Sequence, residues 1–194
     1  MPVAIKSPPL FPDVHILIPE RFTDHRGYFS EIYSQPAFQS LGIDCTFVQD
    51  NQSLSVAKGT VRGLHFQYPP YDQAKLVRVT SGRLLDVIVD IRAGSPSFGQ
   101  HFSIELSAEN RQQLFIPSGF AHGFCTLEDN TEILYKVSAP YSKAHDAGIF
   151  WNDPDLNIAW PVLSTDAVLS DKDLALPLLK NLSRPFSQNS GDTP

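Results

Sequence analysis

Cysteine is nearly absent from this chain. Cys45 and Cys125 are the only two among 194 residues, and two cysteines so far apart make no disulfide framework. They read as small buried hydrophobes in a reducing compartment. Long apolar runs are missing too: nothing approaches the roughly 18–20 residues of a membrane-spanning helix. The first thirteen residues, MPVAIKSPPLFPD, are broken by prolines and do not read as a signal peptide. Basic residues do not predominate, with 15 Lys and Arg against 21 Asp and Glu and a net charge of −6. That argues against a non-specific nucleic-acid or anionic-membrane surface. An anionic small ligand stays open, because a local cluster of Arg and Lys overrides the global sign. There is no G-x-G-x-x-G to suggest a nicotinamide site, no internal repeat and no long linker. These absences leave a soluble, cytoplasmic protein.

Proline and glycine, by contrast, are plentiful, at 16 and 11. The pieces between them alternate with period two and favour Val, Ile, Phe and Thr, which predicts many short strands in a sandwich or barrel. Hydrophobic residues make up 42% and charged residues 19%, enough for a core without staples. Strands are expected over 14–18, 28–33, 45–51, 61–67, 74–80, 83–91, 100–106, 112–116, 121–127 and 131–138. Ser81-Gly82 is read as a hairpin turn, and so is Glu128-Asp129-Asn130. A helix is expected after Ser34, closed by Gly42. A second, short one is expected over 170–176, with Ser170 as N-cap and Asp173 at the capping-box position. Residues 1–182 are read as one domain and 183–194 as a polar, frayed tail.

Two stretches suggest chemistry. Pro117-Ser118-Gly119-Phe120-Ala121-His122 has the P-x-G-x-x-H spacing of the second motif of cupin-type jelly rolls, which turns a tight corner and sends the histidine into the barrel. The first motif of a metal-binding cupin carries H-x-H. Here it reads His65-Phe66-Gln67, and two histidines fall short of the three or four ligands a transition metal needs. No metal is expected. His122 is then either a ligand-facing group or a hydrogen-bonded core histidine. In Arg62-Gly63-Leu64-His65-Phe66-Gln67, alternation puts Gly63, His65 and Gln67 on one face, a composition that suits a wet interior. Arg62 reaches that face only if the strand bulges near Gly63. His65 is a candidate base, since imidazole titrates near neutrality.

Further along, Lys75 is either a solvated strand end or a cation for a developing oxyanion. Tyr135 is either a core tyrosine or a phenolic acid facing a base. Asp173 either caps the last helix or orients a histidine. The Asp24-His25-Arg26-Gly27-Tyr28-Phe29 turn is either an exposed turn or part of a nucleotide site, with an aromatic on the base and Arg on phosphate. Trp151 and Trp160 read as packing residues, and Asp86 and Asp90 as solvated or turn-bonding.

Taken together these stretches, with Val48-Gln49-Asp50-Asn51, Gln73-Ala74-Lys75-Leu76-Val77, Leu134-Tyr135-Lys136 and Leu169-Ser170-Asp171-Lys172-Asp173, resemble the dTDP-4-dehydrorhamnose 3,5-epimerase family. The match runs in order from about residue 11 to 177. The resemblance implies an all-β fold, a cupin-like double-stranded β-helix (jelly roll) with a few short helices. It implies cofactor-free epimerisation of dTDP-4-dehydro-6-deoxy-D-glucose at C3 and C5, in dTDP-L-rhamnose synthesis for lipopolysaccharide or cell-wall polysaccharide. His65 matches the family's base, Asp173 its partner, Tyr135 the acid and Lys75 the lysine near the sugar. Arg26, Glu31, Gln49, Asn51, Arg62, His122 and Lys172 match nucleotide and sugar contacts. Tyr141 stands where an aromatic stacks on thymine, with Tyr28 as the other side of that stack. A homodimer is implied, with Arg26 and Glu31 reaching the neighbouring site. Two positions depart from the pattern: Asp146 replaces a contacting glutamate, and Leu174 an often basic residue. The rivals are an epimerase acting at one carbon only, a non-catalytic jelly-roll sugar-nucleotide binder, and a metal-dependent cupin dioxygenase.

Overall fold

A computed structural model describes residues 3–182 and 186–187. Val3–Lys6 (β1) pairs antiparallel with His15–Pro19 (β2). Sequence reading gives no strand at β1, where prolines follow a mostly exposed four-residue edge. Phe22–Asp24 (β3) and Gly27–Phe29 (β4) form a separate exposed ribbon. The strand expected over 28–33 stops at Phe29, and Tyr33 turns inward onto Phe38 and Phe47. Gln35–Ser40 (α1) follows Ser34, which holds the N-cap backbone position but makes no side-chain capping bond; a proline in the first turn starts the helix instead. Gly42, at φ +84°, follows its end.

Gln49–Ser55 (β5) begins four residues later than expected, because Cys45 and Phe47 pack against the α1 cluster rather than pair. Val61–Gln67 (β6), Lys75–Ser81 (β7) and Arg83–Asp90 (β8) follow. Then come His101–Ser107 (β9), Gln113–Ile116 (β10), Phe120–Thr126 (β11), Thr131–Val137 (β12) and Asp146–Gly148 (β13). Asp171–Leu174 forms a single-turn helix (α2).

The strands divide into a six-stranded sheet, β1-β2-β10-β7-β12-β5, and a five-stranded sheet, β13-β6-β11-β8-β9. This corrects both expected hairpins. β7 and β8 lie in opposite sheets, as do β11 and β12. Gly82 (φ +72°) and Asn130 (φ +53°) turn the chain from one sheet to the other. The turn chemistry is the same in either case, and strand alternation does not say which neighbour a strand will choose. β8 and β9 do pair as consecutive antiparallel strands. Passing the chain between two facing sheets in this way builds the jelly roll.

Between the sheets lies an apolar cluster that includes Phe11, Val77, Leu84, Ile88, Phe124 and Ile133. A second cluster, around Leu64, Phe66 and Ile91, includes Phe186. Phe186 is 1% exposed and its carbonyl accepts from the Ala93 N–H at 2.8 Å. The tail expected from residue 183 is therefore anchored at Phe186, whose burial is worth about 1.5–3 kcal/mol. Residues 183–185 and 188–194 lie outside the described residues. Trp151 is buried, and the Trp160 indole N–H donates to its carbonyl at 2.8 Å, so both pack as expected.

Candidate active site

β6 and β11 run antiparallel with His65 opposite His122, and two residues further along β11 Phe124 faces Arg62. Gly63 and Leu64 of β6 thus oppose Gly123 alone on β11. This is the bulge that Arg62 needs to share a face with His65. Gly63 sits in it at φ +112°, and a Cβ there would lie 2.7 Å from both the Gly123 Cα and the His122 carbonyl oxygen. Only glycine fits so close an approach. Arg62, His65, Lys75, His122, Tyr135 and Asp173 all line one cavity of about 510 Å³ between the sheets.

His65 Nε2 lies 2.5 Å from Asp173 Oδ1. The His65 side chain is 31% exposed and that of Asp173 is 5% exposed. A carboxylate beside Nε2 holds the ring proton there and leaves Nδ1 with the lone pair. Ser170 Oγ donates to Asp173 Oδ2 at 2.9 Å and accepts the Asp173 N–H at 3.2 Å. The cap of α2 and the histidine partner are therefore one arrangement, and the two expected roles of Asp173 coexist. Burial alone would raise the Asp173 carboxyl, but hydrogen bonds from His65 and Ser170, with the charges of His65 and Lys172, hold it below the usual range.

Lys75 is buried, and its Nζ donates to the His65 carbonyl at 3.3 Å. Burial lowers its pKa to about 8 against the raising effect of Asp86 and Asp146, so the ammonium still predominates at pH 7. Tyr135 stands on β12 opposite Asn51. Burial raises its phenol, partly offset by the charge of Arg62, which keeps it a proton donor. His122 Nε2 is 2.9 Å from Asp86 Oδ2. Asp86 is 0% exposed, which overturns the solvated reading of that residue. Asp90 is equally buried and bonds Arg92, Ser95 and Ser97, so its turn-bonding reading holds and its solvated one does not.

The remaining predicted residues fall into two groups. Gln49 and Asn51 share a β5 face with the cavity-lining Ser53, and the Gln49 amide donates to Asn51 Oδ1 at 2.7 Å. Arg62 is held by Ser55 Oγ and the Leu54 carbonyl, both at 3.2 Å. Lys172 lies at the cavity and meets Asp146 Oδ2 at 2.5 Å, and the exposed Tyr141 hydroxyl donates to the same oxygen at 3.1 Å. The shorter acid at 146 thus still joins two predicted site residues, while Leu174 is exposed. Arg26, Tyr28 and Glu31 are not brought to this cavity. They lie on or beside the exposed β3–β4 ribbon, with Arg26 paired to Asp24 at 2.6 Å and Tyr28 under Arg21.

Sequence reading missed Asp86 as a site residue. The signal was a charged residue inside the near-continuous apolar run Leu84-Leu85-Asp86-Val87-Ile88-Val89, where a strand buried on both faces forces any charge to find a partner. Gln67, at the place of a second metal ligand, instead donates to the Tyr71 and Pro140 carbonyls and accepts the Ser142 N–H. Among the described residues no three His, Cys, Asp or Glu side chains gather as a metal ligand set, and no helix is long and apolar enough to cross a membrane.

The dTDP-4-dehydrorhamnose 3,5-epimerase family model matches residues 10–181. A dTDP-4-dehydrorhamnose 3,5-epimerase of Sinorhizobium fredii is 52% identical over 174 residues, 90% of this chain and 89% of its own. The crystal structure of the Bacillus anthracis enzyme of that name, with TDP and PPi bound, superposes with a TM-score of 0.88 at 48% identity, covering 91% of this chain and 99% of the other. A Legionella pneumophila dTDP-6-deoxy-D-glucose-3,5-epimerase in complex with dTDP-4-keto-L-rhamnose also gives 0.88, at 41% identity over 93% and 95%.

Proposed function

Because this chain belongs to the dTDP-4-dehydrorhamnose 3,5-epimerase family, we propose that it inverts C3 and C5 of dTDP-4-dehydro-6-deoxy-D-glucose, giving dTDP-4-dehydro-L-rhamnose. The observation that carries this reading is the convergence of His65, Lys75 and Tyr135 on one cavity, with Asp173 behind His65. C3 and C5 both flank the 4-keto group, so a proton on either is removable once the enolate is stabilised. His65 Nδ1 takes the proton, and Asp173 balances the imidazolium that forms. The Lys75 ammonium meets the enolate oxygen. Tyr135 then delivers a proton to the opposite face, and the centre inverts. Nothing is oxidised or reduced, so the reaction asks for no nicotinamide.

Arg62 and Lys172 supply positive charge for the diphosphate, and Tyr141 an aromatic face for thymine. A nucleotide-sugar substrate places the reaction in the cytoplasm. The protein acts as a homodimer, with Arg26 and Glu31 serving the partner's cavity. That reading is supported by a ribbon that leaves Phe22, Tyr28 and Phe29 exposed, a patch that suits an interface better than solvent. Light scattering that finds only monomer at micromolar concentration would remove it.

The function is tested by incubating the protein with dTDP-4-dehydro-6-deoxy-D-glucose in deuterated water and following the sugar by NMR. Deuterium at both C3 and C5 is expected. Label at one carbon selects the single-site epimerase, and no exchange at either sinks the enzymatic reading for this substrate.

A further inference from the structure

Tyr141 stands in residues 138–145, the irregular link between Val137, where β12 ends, and Asp146, where β13 begins. Such a link has no ladder of its own, yet its backbone N–H and C=O groups need partners. One side chain supplies them on both flanks of Tyr141. The Gln67 amide donates to the Pro140 carbonyl at 3.2 Å and accepts the Ser142 N–H at 2.7 Å. It also donates to the Tyr71 carbonyl at 2.6 Å. A primary amide offers two protons and one acceptor oxygen, and all three are engaged. Gln67 is 4% exposed, so water competes little for these bonds. The same register pair holds the far end of the tyrosine. Gln67 lies opposite Asp146 in the β6–β13 ladder, and Asp146 Oδ2 accepts the Tyr141 hydroxyl at 3.1 Å. Neighbouring bonds brace the link: Gln73 donates to the Ala139 carbonyl at 2.7 Å, and Ser142 Oγ lies 2.8 Å from His145 Nδ1. Tyr141 itself is 60% exposed, held in place yet open to a planar ligand.

We infer that Gln67 is a positioning residue for the nucleotide: it clamps the backbone on either side of Tyr141, so that the ring stands ready before substrate arrives. An aromatic already held in place loses less freedom on binding than one on a loose segment. Gln67 lies outside the cavity that His65, Lys75 and Tyr135 share, so its effect falls on affinity and not on proton transfer. Strand β6 then carries the proton acceptor, His65, and two residues on the support of the nucleotide site. The position that would hold a second metal ligand in a metal-binding cupin serves substrate binding here.

This rests on Tyr141 as the aromatic face for thymine, and the experiment separates the two. Calorimetry gives the Kd of dTDP for the wild type, Gln67→Met, Tyr141→Ala and the double variant, and kinetics gives kcat and KM for each. Tyr141→Ala is expected to weaken dTDP by about 10- to 100-fold, the loss of one aromatic stack. Gln67→Met keeps the length of the side chain and loses all three bonds. It is expected to weaken dTDP by about 5- to 10-fold and to raise KM alike, with kcat within about two-fold of wild type. In the Tyr141→Ala background the same change is expected to weaken dTDP no further, because the ring it positions is gone. An affinity unchanged in Tyr141→Ala overturns the premise about Tyr141. An affinity lost in Tyr141→Ala but kept in Gln67→Met overturns the role of Gln67 alone. Full additivity in the double variant overturns it too, since a general loosening of the fold weakens binding whether or not the ring is present. So does a fall in kcat with KM unchanged, which would tie the amide to His65. Should Gln67→Met fail to fold, hydrogen exchange of the ligand-free wild type decides. The Ser142 amide is expected to be protected by about 100-fold or more, and exchange at the rate of an open loop overturns the proposal.

Discussion

Two histidine–carboxylate pairs face each other across neighbouring strands, His65–Asp173 and His122–Asp86, with the imidazoles directly opposite in the β6–β11 register. They differ in access and in how far the carboxylate is satisfied. The His65 side chain is 31% exposed and that of His122 is 9% exposed. Asp173 binds its imidazole with one oxygen and Ser170 with the other, whereas Asp86 leaves one oxygen without a donor. A proton carrier must open to its substrate, and its partner must be at rest in both states of the ring. A pair that only holds geometry and charge gains from burial. On the proposed mechanism the same two residue types serve as a base in one place and as a support in the other, and their surroundings decide which.

The sharpest way to break that distinction is to remove each imidazole in turn. His65→Asn is expected to lower solvent-deuterium exchange at both carbons by roughly 10²–10⁴-fold while nucleotide binding, read by calorimetry with dTDP, changes little. Next in size is the cation between the pairs. Lys75→Met is expected to lower kcat by about 10²–10³-fold, yet to stabilise the fold. Its folded pKa, about 8, lies below the ordinary 10.5. The charged form is therefore penalised on folding, fully below pH 8 and not at all above about 10.5. The drop corresponds to on the order of 3 kcal/mol at pH 7, so urea denaturation should show a gain there that shrinks as pH rises past 8. Asp173→Asn removes one charge-assisted bond, worth about 1.5–3 kcal/mol, and kcat should fall about 10- to 150-fold with KM nearly constant. The smallest effect belongs to His122→Asn, where a few-fold rise in KM is expected. A loss of exchange in His122→Asn equal to that in His65→Asn would erase the contrast between the pairs.

Much of this was legible in the sequence. His65, Lys75, Tyr135 and Asp173 are separated by up to 108 residues, and period-two alternation with punctuating glycines and prolines put three of them on strands of a barrel. The bulge at Gly63 followed from asking how Arg62 and His65 could share a face. Sheet assignment was not legible. Ser81-Gly82 serves a hairpin and a corner equally well, because partner choice is fixed by contacts far along the chain. Asp86 was misjudged because alternation was weighed without the apolar neighbours on both of its sides. Phe186 was lost in a polar tail, since one aromatic in a run of Ser, Asn and Gln carries no periodicity.

The four-residue helix α2 has one further consequence. A single turn has almost no stability of its own, so its existence depends on what surrounds it: the Ser170 cap, the contact of Asp173 with His65, and the strap that follows, where the Phe150 N–H donates to the Pro177 carbonyl at 2.7 Å. His65 emerges from synthesis long before its carboxylate, which lies 108 residues further along the chain. The carboxylate partner of His65 is thus carried by the least self-sufficient element of the fold. On the proposed mechanism, loss of the turn at 171–174 would leave the cavity with its histidine but without the carboxylate behind it.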